Sequence, residues 1–278
     1  MTAFMGSDFR FGLRLSRGVI LLVLCLVAVI MLYPFYYMLH AAFQSFQQFE
    51  LGRGFSFTSW AQLFSVLPVF RELVNSSIVT LGTVAIILAV STCGGYSLSK
   101  LRFRGSSVVF VGIVATMMVP LQSIIIPEYV NLSRVGLIGH FIGAVLVYSA
   151  LGSPFATFLM TTYFRGVPDE LLEAAVVDGL SYANIFLRIM VPMAIPALFT
   201  VAVLQFIQVW DDLLVAMLFL PNPDVRTITV GLATLQAQRI VNIPVLMAGS
   251  FISALPAVIV YLIFQRSLIN GLTMGMGK

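Results

Sequence analysis

The sequence predicts an all-α integral membrane protein with six transmembrane helices, N-in and C-in, and a cytoplasmic helical loop between helices 4 and 5. Three observations carry that prediction. Of 278 residues, 60% are hydrophobic and only 9% are charged, against roughly 25% charged in a soluble domain. So little charge cannot cover a water-soluble surface, which excludes a cytosolic enzyme, a disulfide scaffold and a disordered chain. Second, the apolar residues gather into runs near the 20-residue length that crosses a bilayer. Third, the basic residues fall mainly between alternate runs. The net charge of +4 is scattered rather than gathered into a patch, so no nucleic-acid partner is expected.

The spans follow in chain order. Stretches 18–40, 73–98, 108–127, 141–163 and 243–264 hold no Asp, Glu, Lys or Arg, and 195–220 is equally apolar except for Asp211 and Asp212. Backbone groups in lipid must be satisfied within a segment, so long runs read as helices, whereas a barrel would show short alternating segments. The first run follows Arg10, Arg14 and Arg17, like a signal peptide. At 23 residues, with no A-x-A site after it, it reads as a retained anchor. With the N-terminus inside, the inner segments hold Arg10, Arg14, Arg17, Lys100, Arg102, Arg104, Arg165, Arg188, Arg266 and Lys278. The outer ones hold Arg53, Arg71, Arg134, Arg226 and Arg239. Ten against five favours N-in and C-in by the positive-inside rule.

Two outer loops connect the spans. Residues 44–72, with Trp60 and several Phe, read as a short amphipathic segment on the outer surface, and 221–242 opens with Pro221-Asn222-Pro223. Cys25 and Cys93 lie singly in apolar runs and read as small core or lipid-facing residues. His40 and His140 stand alone at span ends, so no metal is expected.

The largest inner segment is 164–194. Pro168 suits a first helical turn, and Asp169 and Glu170 complement the helix N-terminus. Leu171, Leu172, Ala175 and Gly179 share one helical face, and Glu170, Glu173 and Val177 another. Gly179 sits where a helix ends in a left-handed residue. Ser181 is a good N-cap for a second helix. In that helix Tyr182, Ile185, Phe186, Ile189 and Met190 form an apolar stripe at helical spacing. Pro192 and Pro196 punctuate the approach to the fifth span. The spacing leaves two roles open: an interfacial hairpin packed on its own bundle, or a docking element.

The run Glu173-Ala174-Ala175-x-x-Asp178-Gly179, followed by Phe186, Ile189, Pro192 and Pro196, resembles the EAA loop of bacterial ABC importer permeases. The resemblance implies that Glu173, Ala174, Ala175, Asp178, Gly179, Phe186 and Pro192 couple the chain to a cytoplasmic ATPase. The loop would dock in a cleft there and pass its closure to the membrane helices. Further stretches are similar to the sugar-importing branch, the maltose-type "G" permeases. They are Asn75-Ser76, Met118-Val119-Pro120, Ile126-Pro127-x-Tyr129, Gly136-Leu137, Trp210-Asp211-Asp212, Gln265-Arg266, Gly271-Leu272-Thr273 and the terminal Gly275-Met276-Gly277-Lys278. The family usually has Asn where Asp211 stands, and often a smaller residue where Met276 stands. It implies a second permease subunit, a cytoplasmic ABC ATPase dimer and an extracytoplasmic substrate-binding protein as partners, with a sugar as substrate.

The chain has no GxxxxGK[ST], HExxH or GxSxG. No cofactor is therefore expected in it, and ATP and Mg would be bound by the partner ATPase. Asp211 and Asp212 are the only acids within the six stretches. Each would cost about 2.5–3.5 kcal/mol at a helix centre. Either Trp210, Asp211 and Asp212 line a substrate path, where carboxylates accept hydrogen bonds from sugar hydroxyls, or the helix breaks near Trp210 and the acids sit in water. Adjacent helical residues diverge by about 100°, so the two acids make a poor catalytic dyad, and one acidic pair makes a poor channel filter.

The resulting division is 1–69 (N-terminal segment, first span and outer loop), 70–265 (permease core with the loop 164–194) and 266–278 (cytoplasmic tail). The function read from it is the permease subunit of an ATP-driven, binding-protein-dependent importer for a sugar or oligosaccharide in the bacterial cell membrane. A permease for a non-sugar solute such as glycerol phosphate or a polyol is the alternative, ahead of an intramembrane enzyme or a channel.

Overall fold

The computed structural model describes residues 6–101, 103–238 and 241–273, with side chains for 18–101, 103–238 and 241–265. The terminal Gly275-Met276-Gly277-Lys278 and the cations Arg102, Arg239 and Lys278 lie outside the described residues. All regular structure among the described residues is helical. Four helices are long and apolar enough to cross a membrane, Gly18–Ala42, Val69–Lys100, Phe141–Arg165 and Ile243–Gln265, and the number rises to six if two bent helix pairs, Ser106–Thr116 with Leu121–Arg134 and Tyr182–Met193 with Ile195–Trp210, each count as one span.

The chain divides into two units. The first comprises 1–66 and 239–251. It contains α1 (Gly6–Ala42), α2 (Phe46–Glu50), α3 (Thr58–Val66) and the first residues of a long last helix. Ser45 opens α2 with a reciprocal cap: its Oγ accepts from Gln48 N, and Gln48 Oε1 accepts from Ser45 N. Phe43, Phe55, Phe57 and Trp60 stack and meet edge-on at 5.2–5.3 Å between ring centroids. The segment around Trp60 is thus two short helices around an aromatic cluster. Residues 18–37 of α1 expose nearly all their side chains, as a lipid-facing or partner-facing helix does.

The second unit, 67–238 and 252–278, is built on α4 (Val69–Lys100) and α7 (Phe141–Arg165). They run parallel and touch along their length because glycines remove side chains from the seam. A Cβ at Gly82 would meet Val145, at Gly94 would meet Thr157 at 3.2 Å, and at Gly95 would come within 2.6 Å of Met160 Cβ. Such small residues let helix backbones close up where water supplies no driving force.

Three expected spans need correction. The stretch 108–127 is two helices, α5 (Ser106–Thr116) and α6 (Leu121–Arg134), bent by 96°. Pro120 has no N–H to continue a helix and disfavours helical backbone in the residue before it, so α6 restarts with Pro120 as its extended N-cap. The stretch 195–220 is also interrupted: α11 (Ile195–Trp210) ends before Asp211, and α12 (Leu214–Phe219) follows. The second span begins at Val69, so Glu72 lies inside α4 and is fully buried. Asp211 and Asp212 are therefore not the only acids within apolar helices. Residues 221–238 carry a further helix, α13 (Ile228–Gln236), and α14 (Ile243–Thr273) is the last helix among the described residues.

Candidate functional site

The segment 164–194 folds as a helix, a glycine elbow and a second helix. α8 (Asp169–Val177) starts after Pro168, which is its extended N-cap rather than its first helical residue. Asp169 pairs with Lys100 Nζ at 2.5 Å, and the same ammonium donates to the Val167 carbonyl. The Lys100 side chain is only 3% exposed, so its charge is spent on fixing where α8 begins. At the other end Gly179 has φ +81°, its N–H donates to the Val176 carbonyl, and Leu180 N–H returns to Ala175 O. This satisfies the last carbonyls of α8, as a left-handed C-cap does.

The second helix opens at α9 (Tyr182–Ile185), where Ser181 Oγ accepts from Asn184 N at 3.4 Å. It continues through a π-turn at Phe186–Met190 into α10 (Val191–Met193). Val191 N–H reaches back five residues to Phe186 O. Pro192 has no N–H for the Arg188 carbonyl, and the wider turn just before it absorbs the mismatch. The apolar stripe is inward as expected at Ile185 and Met190, both fully buried, with Phe186 and Ile189 packed beside them. Tyr182 instead stays 56% exposed.

One face of this hairpin belongs to the core. Leu172 and Ala175 join Met160, Phe164, Val167, Ile185 and Met190 in one cluster. Tyr96 of α4 seats the elbow: its hydroxyl donates to Tyr182 O at 3.3 Å and its ring meets Phe186 at 5.0 Å. Leu171, expected on the inner face, is exposed, because the inner stripe runs through Leu172 and Ala175. The other face is open. Glu173, Ala174, Asp178, Gly179 and Pro192 are exposed, and Val177 is 87% exposed. A cavity of about 570 Å³ lies against this hairpin, lined by Lys100, Leu172, Glu173, Val176, Val177 and Tyr182 among others.

At the far end of α11 the three residues Trp210, Asp211 and Asp212 separate. Trp210 is 3% exposed, donates from Nε1 to Ser253 O at 2.9 Å and stacks on Phe206. Asp212 accepts from Tyr148 Oη at 2.7 Å and from Val215 N at 2.8 Å, capping α12. Asp211 is exposed: its backbone N–H donates to Ile207 O, and its side chain has no hydrogen bond or ion pair among the described residues.

Sequence reasoning missed a second polar cluster, where α4 meets residues 224–228. Glu72 Oε1 accepts from Arg226 Nε at 2.6 Å, with the Glu72 side chain 0% and that of Arg226 16% exposed. Asn75 Nδ2 donates to Asp224 O and Arg226 O, each at 3.0 Å, and Ser76 Oγ accepts from Ile228 N. Gly231 leaves room for the Glu72 carboxylate, which a Cβ there would strike. The available signal was the spacing Glu72, Asn75, Ser76, Val79: one polar-led face of a single helix.

Residues 82–269 match the family described as binding-protein-dependent transport system inner membrane component. The chain belongs to this family. It is a transport subunit of the inner membrane rather than a catalytic chain. An osmoprotective compounds uptake permease protein of Synechocystis sp. is 35% identical over 205 residues, covering 73% of this chain and 69% of the relative. An arabinooligosaccharides transport system permease protein of Bacillus subtilis is 33% identical over 221 residues, covering 79% of this chain and 78% of the relative. The crystal structure of a bacterial ABC transporter involved in the import of the acidic polysaccharide alginate contains a chain that superposes with a TM-score of 0.81. That chain is 25% identical, and the match covers 96% of this chain and 99% of the other.

Proposed function

We propose that the chain is the permease subunit of an ATP-driven importer of a sugar or oligosaccharide, with six spans, N-in and C-in, each bent helix pair counting as one span. Residues 70–265 form its core, after an N-terminal segment, 1–69, and before a cytoplasmic tail, 266–278. The hairpin 164–194 docks on a cytoplasmic ATPase dimer, which binds ATP and Mg. A second permease subunit completes the path, and an extracytoplasmic binding protein delivers the solute.

The two-faced hairpin carries this reading. Its inner face, through Leu172, Ala175, Ile185 and Met190, belongs to the core of α4 and α7. Its outer face offers Glu173, Ala174, Val177, Asp178 and Gly179 to a partner. A push on the outer face must therefore move the membrane helices, because close-packed cores transmit displacement rather than absorb it. Phe186 and Pro192 set the angle at which the second helix meets α11. On the outer side Asp211 is the one member of the Trp210, Asp211, Asp212 group open to solute, and the other two hold its surroundings in place. The arabinooligosaccharide relative supports a sugar. The osmoprotectant relative favours a second reading, a small polyol-like solute.

Co-expression with the neighbouring ATPase, permease and binding-protein genes tests the proposal. The ATPase should co-purify, and the purified single chain should hydrolyse no ATP. Turnover by this chain alone, or failure to retain an ATPase through Glu173 and Gly179, overturns it.

A further inference from the structure

A cavity of about 530 Å³ lies at the break between α5 and α6, against α7 and α11. That volume falls within the roughly 300–1,000 Å³ range of small-molecule pockets. Its walls are mostly apolar, with polar groups from several helices. Glu128 of α6 and Gln208 of α11 line it, with Thr116 at the end of α5. Glu128 is half-buried, and neither its side chain nor that of Gln208 has a hydrogen bond or ion pair among the described residues. Ala150 and Pro154 of α7 form another wall. Pro154 has no N–H to give the Ala150 carbonyl, so the usual helical bond to that acceptor is missing.

An ionisable residue in an apolar helix faces a partner, an interface or a wet cavity. Discontinuous spans place solute sites in transporters, because freed backbone groups line a cavity where they would not survive against lipid. Here the break at Met117–Pro120, the unpartnered carboxylate and the proline-freed carbonyl converge on one space. Its polar groups are acceptor-rich: the Glu128 carboxylate, the Gln208 amide oxygen, the Ala150 carbonyl and the oxygen of Thr116, whose hydroxyl hydrogen goes to Ile113 O, accept, against the Gln208 amide N–H₂ as donor.

We infer that this cavity is a solute-binding station of the translocation path, and that Glu128 makes it selective for uncharged polyhydroxylated solutes over acidic sugars. The inference rests on the importer reading above and names the substrate class. Sugar hydroxyls donate to Glu128 and to the Ala150 carbonyl, while the apolar walls take the C–H faces of the ring. A uronate would bring a second carboxylate against Glu128 and is repelled.

The test uses the assembled complex carrying Cys25→Ser and Cys93→Ser, with Ala150→Cys as reporter. The probes are a panel of uncharged mono- and disaccharides and polyols, set against the matching uronates. At least one uncharged probe should slow modification of the cysteine by a neutral thiol reagent, and no uronate should. Adding Glu128→Gln should weaken that protection about tenfold, the loss expected for a charged hydrogen bond. Glu128→Lys should admit uronates. Co-purification of the ATPase with every variant is the control for assembly. Equal protection by both classes, no protection by either, or protection unchanged in Glu128→Gln overturns the inference, and the cavity then holds lipid or a helix of the partner permease. If the complex assembles and imports a sugar under those results, only this inference fails. If no ATPase assembles with the chain, the importer reading fails and this inference with it.

Discussion

Tyr148 donates its hydroxyl to Asp212 Oδ1 at 2.7 Å, and the same oxygen accepts the Val215 N–H. The carboxylate therefore ties α7 to the break between α11 and α12. In the sequence Asp212 stood beside Asp211 as a path residue, and its geometry makes it a cap and a cross-link. Tyr148→Phe and Asp212→Ala should each lower the melting temperature of the purified complex. The double variant should be little worse than Asp212→Ala, because a charged hydrogen bond of about 1.5–3 kcal/mol is lost only once. Simple additivity in this cycle sinks the cross-link.

Asp212→Asn keeps an acceptor for both donors and should lose less, on the order of 1 kcal/mol. Asp211→Asn, at an exposed side chain with no partner among the described residues, should leave stability unchanged. A change in sugar uptake by Asp211→Asn at normal assembly is the expected sign of a path role, and wild-type uptake means a merely wet helix end.

Gly179 has open space around a Cβ, so its φ of +81° is the sole obstacle to substitution. Gly179→Val should add roughly 1–2 kcal/mol of strain, bend the elbow and reduce uptake and ATPase retention. Gly179→Asn, which tolerates the left-handed region better, should keep more of both. Equal uptake by the two variants removes backbone conformation as the cause.

The Glu72–Arg226 pair is buried, and breaking it leaves an uncompensated charge. Arg226→Ala should destabilise by about 3–5 kcal/mol. Adding Glu72→Gln should recover some of the loss, since a neutral amide is less costly to bury. Thermal unfolding of single and double variants measures this, and no recovery would falsify the buried-charge explanation.

Topology is tested by cysteine accessibility. Reporters at Phe103 from inside, and at Arg53 and Asp224 from outside, should label only from those sides. Asp224 is the better outer reporter than Arg226, because its side chain is 82% exposed and that of Arg226 is held against Glu72. Reversed labelling at Phe103 overturns the orientation.

Much of the hairpin was legible because its signals are local. Acidic residues after Pro168, a glycine at position 179 and Ser181 before an apolar stripe each act within four residues. The register of the inner face was less legible. Whether Leu171 or Leu172 points inward depends on where Lys100 anchors the start of α8. The breaks in the third and fifth spans were only partly marked: Pro120 was visible, but Pro127, Pro154 and Pro256 sit inside continuous helices. A proline alone therefore does not say whether a membrane helix bends or breaks.

By itself the sequence determined a helical membrane protein, its apolar runs and the elbow at Gly179. The physical reason is that bilayer thickness, missing charge and backbone handedness act on each segment alone. Only the tertiary structure decided that Asp212 meets a tyrosine 64 residues away and that Glu72 meets an arginine 154 residues away. It alone decided that Glu128 and Gln208 face one cavity. Those pairings depend on which helix faces lie together. In an apolar medium that is settled by glycine-permitted close approach along α4 and α7, and no local pattern states it.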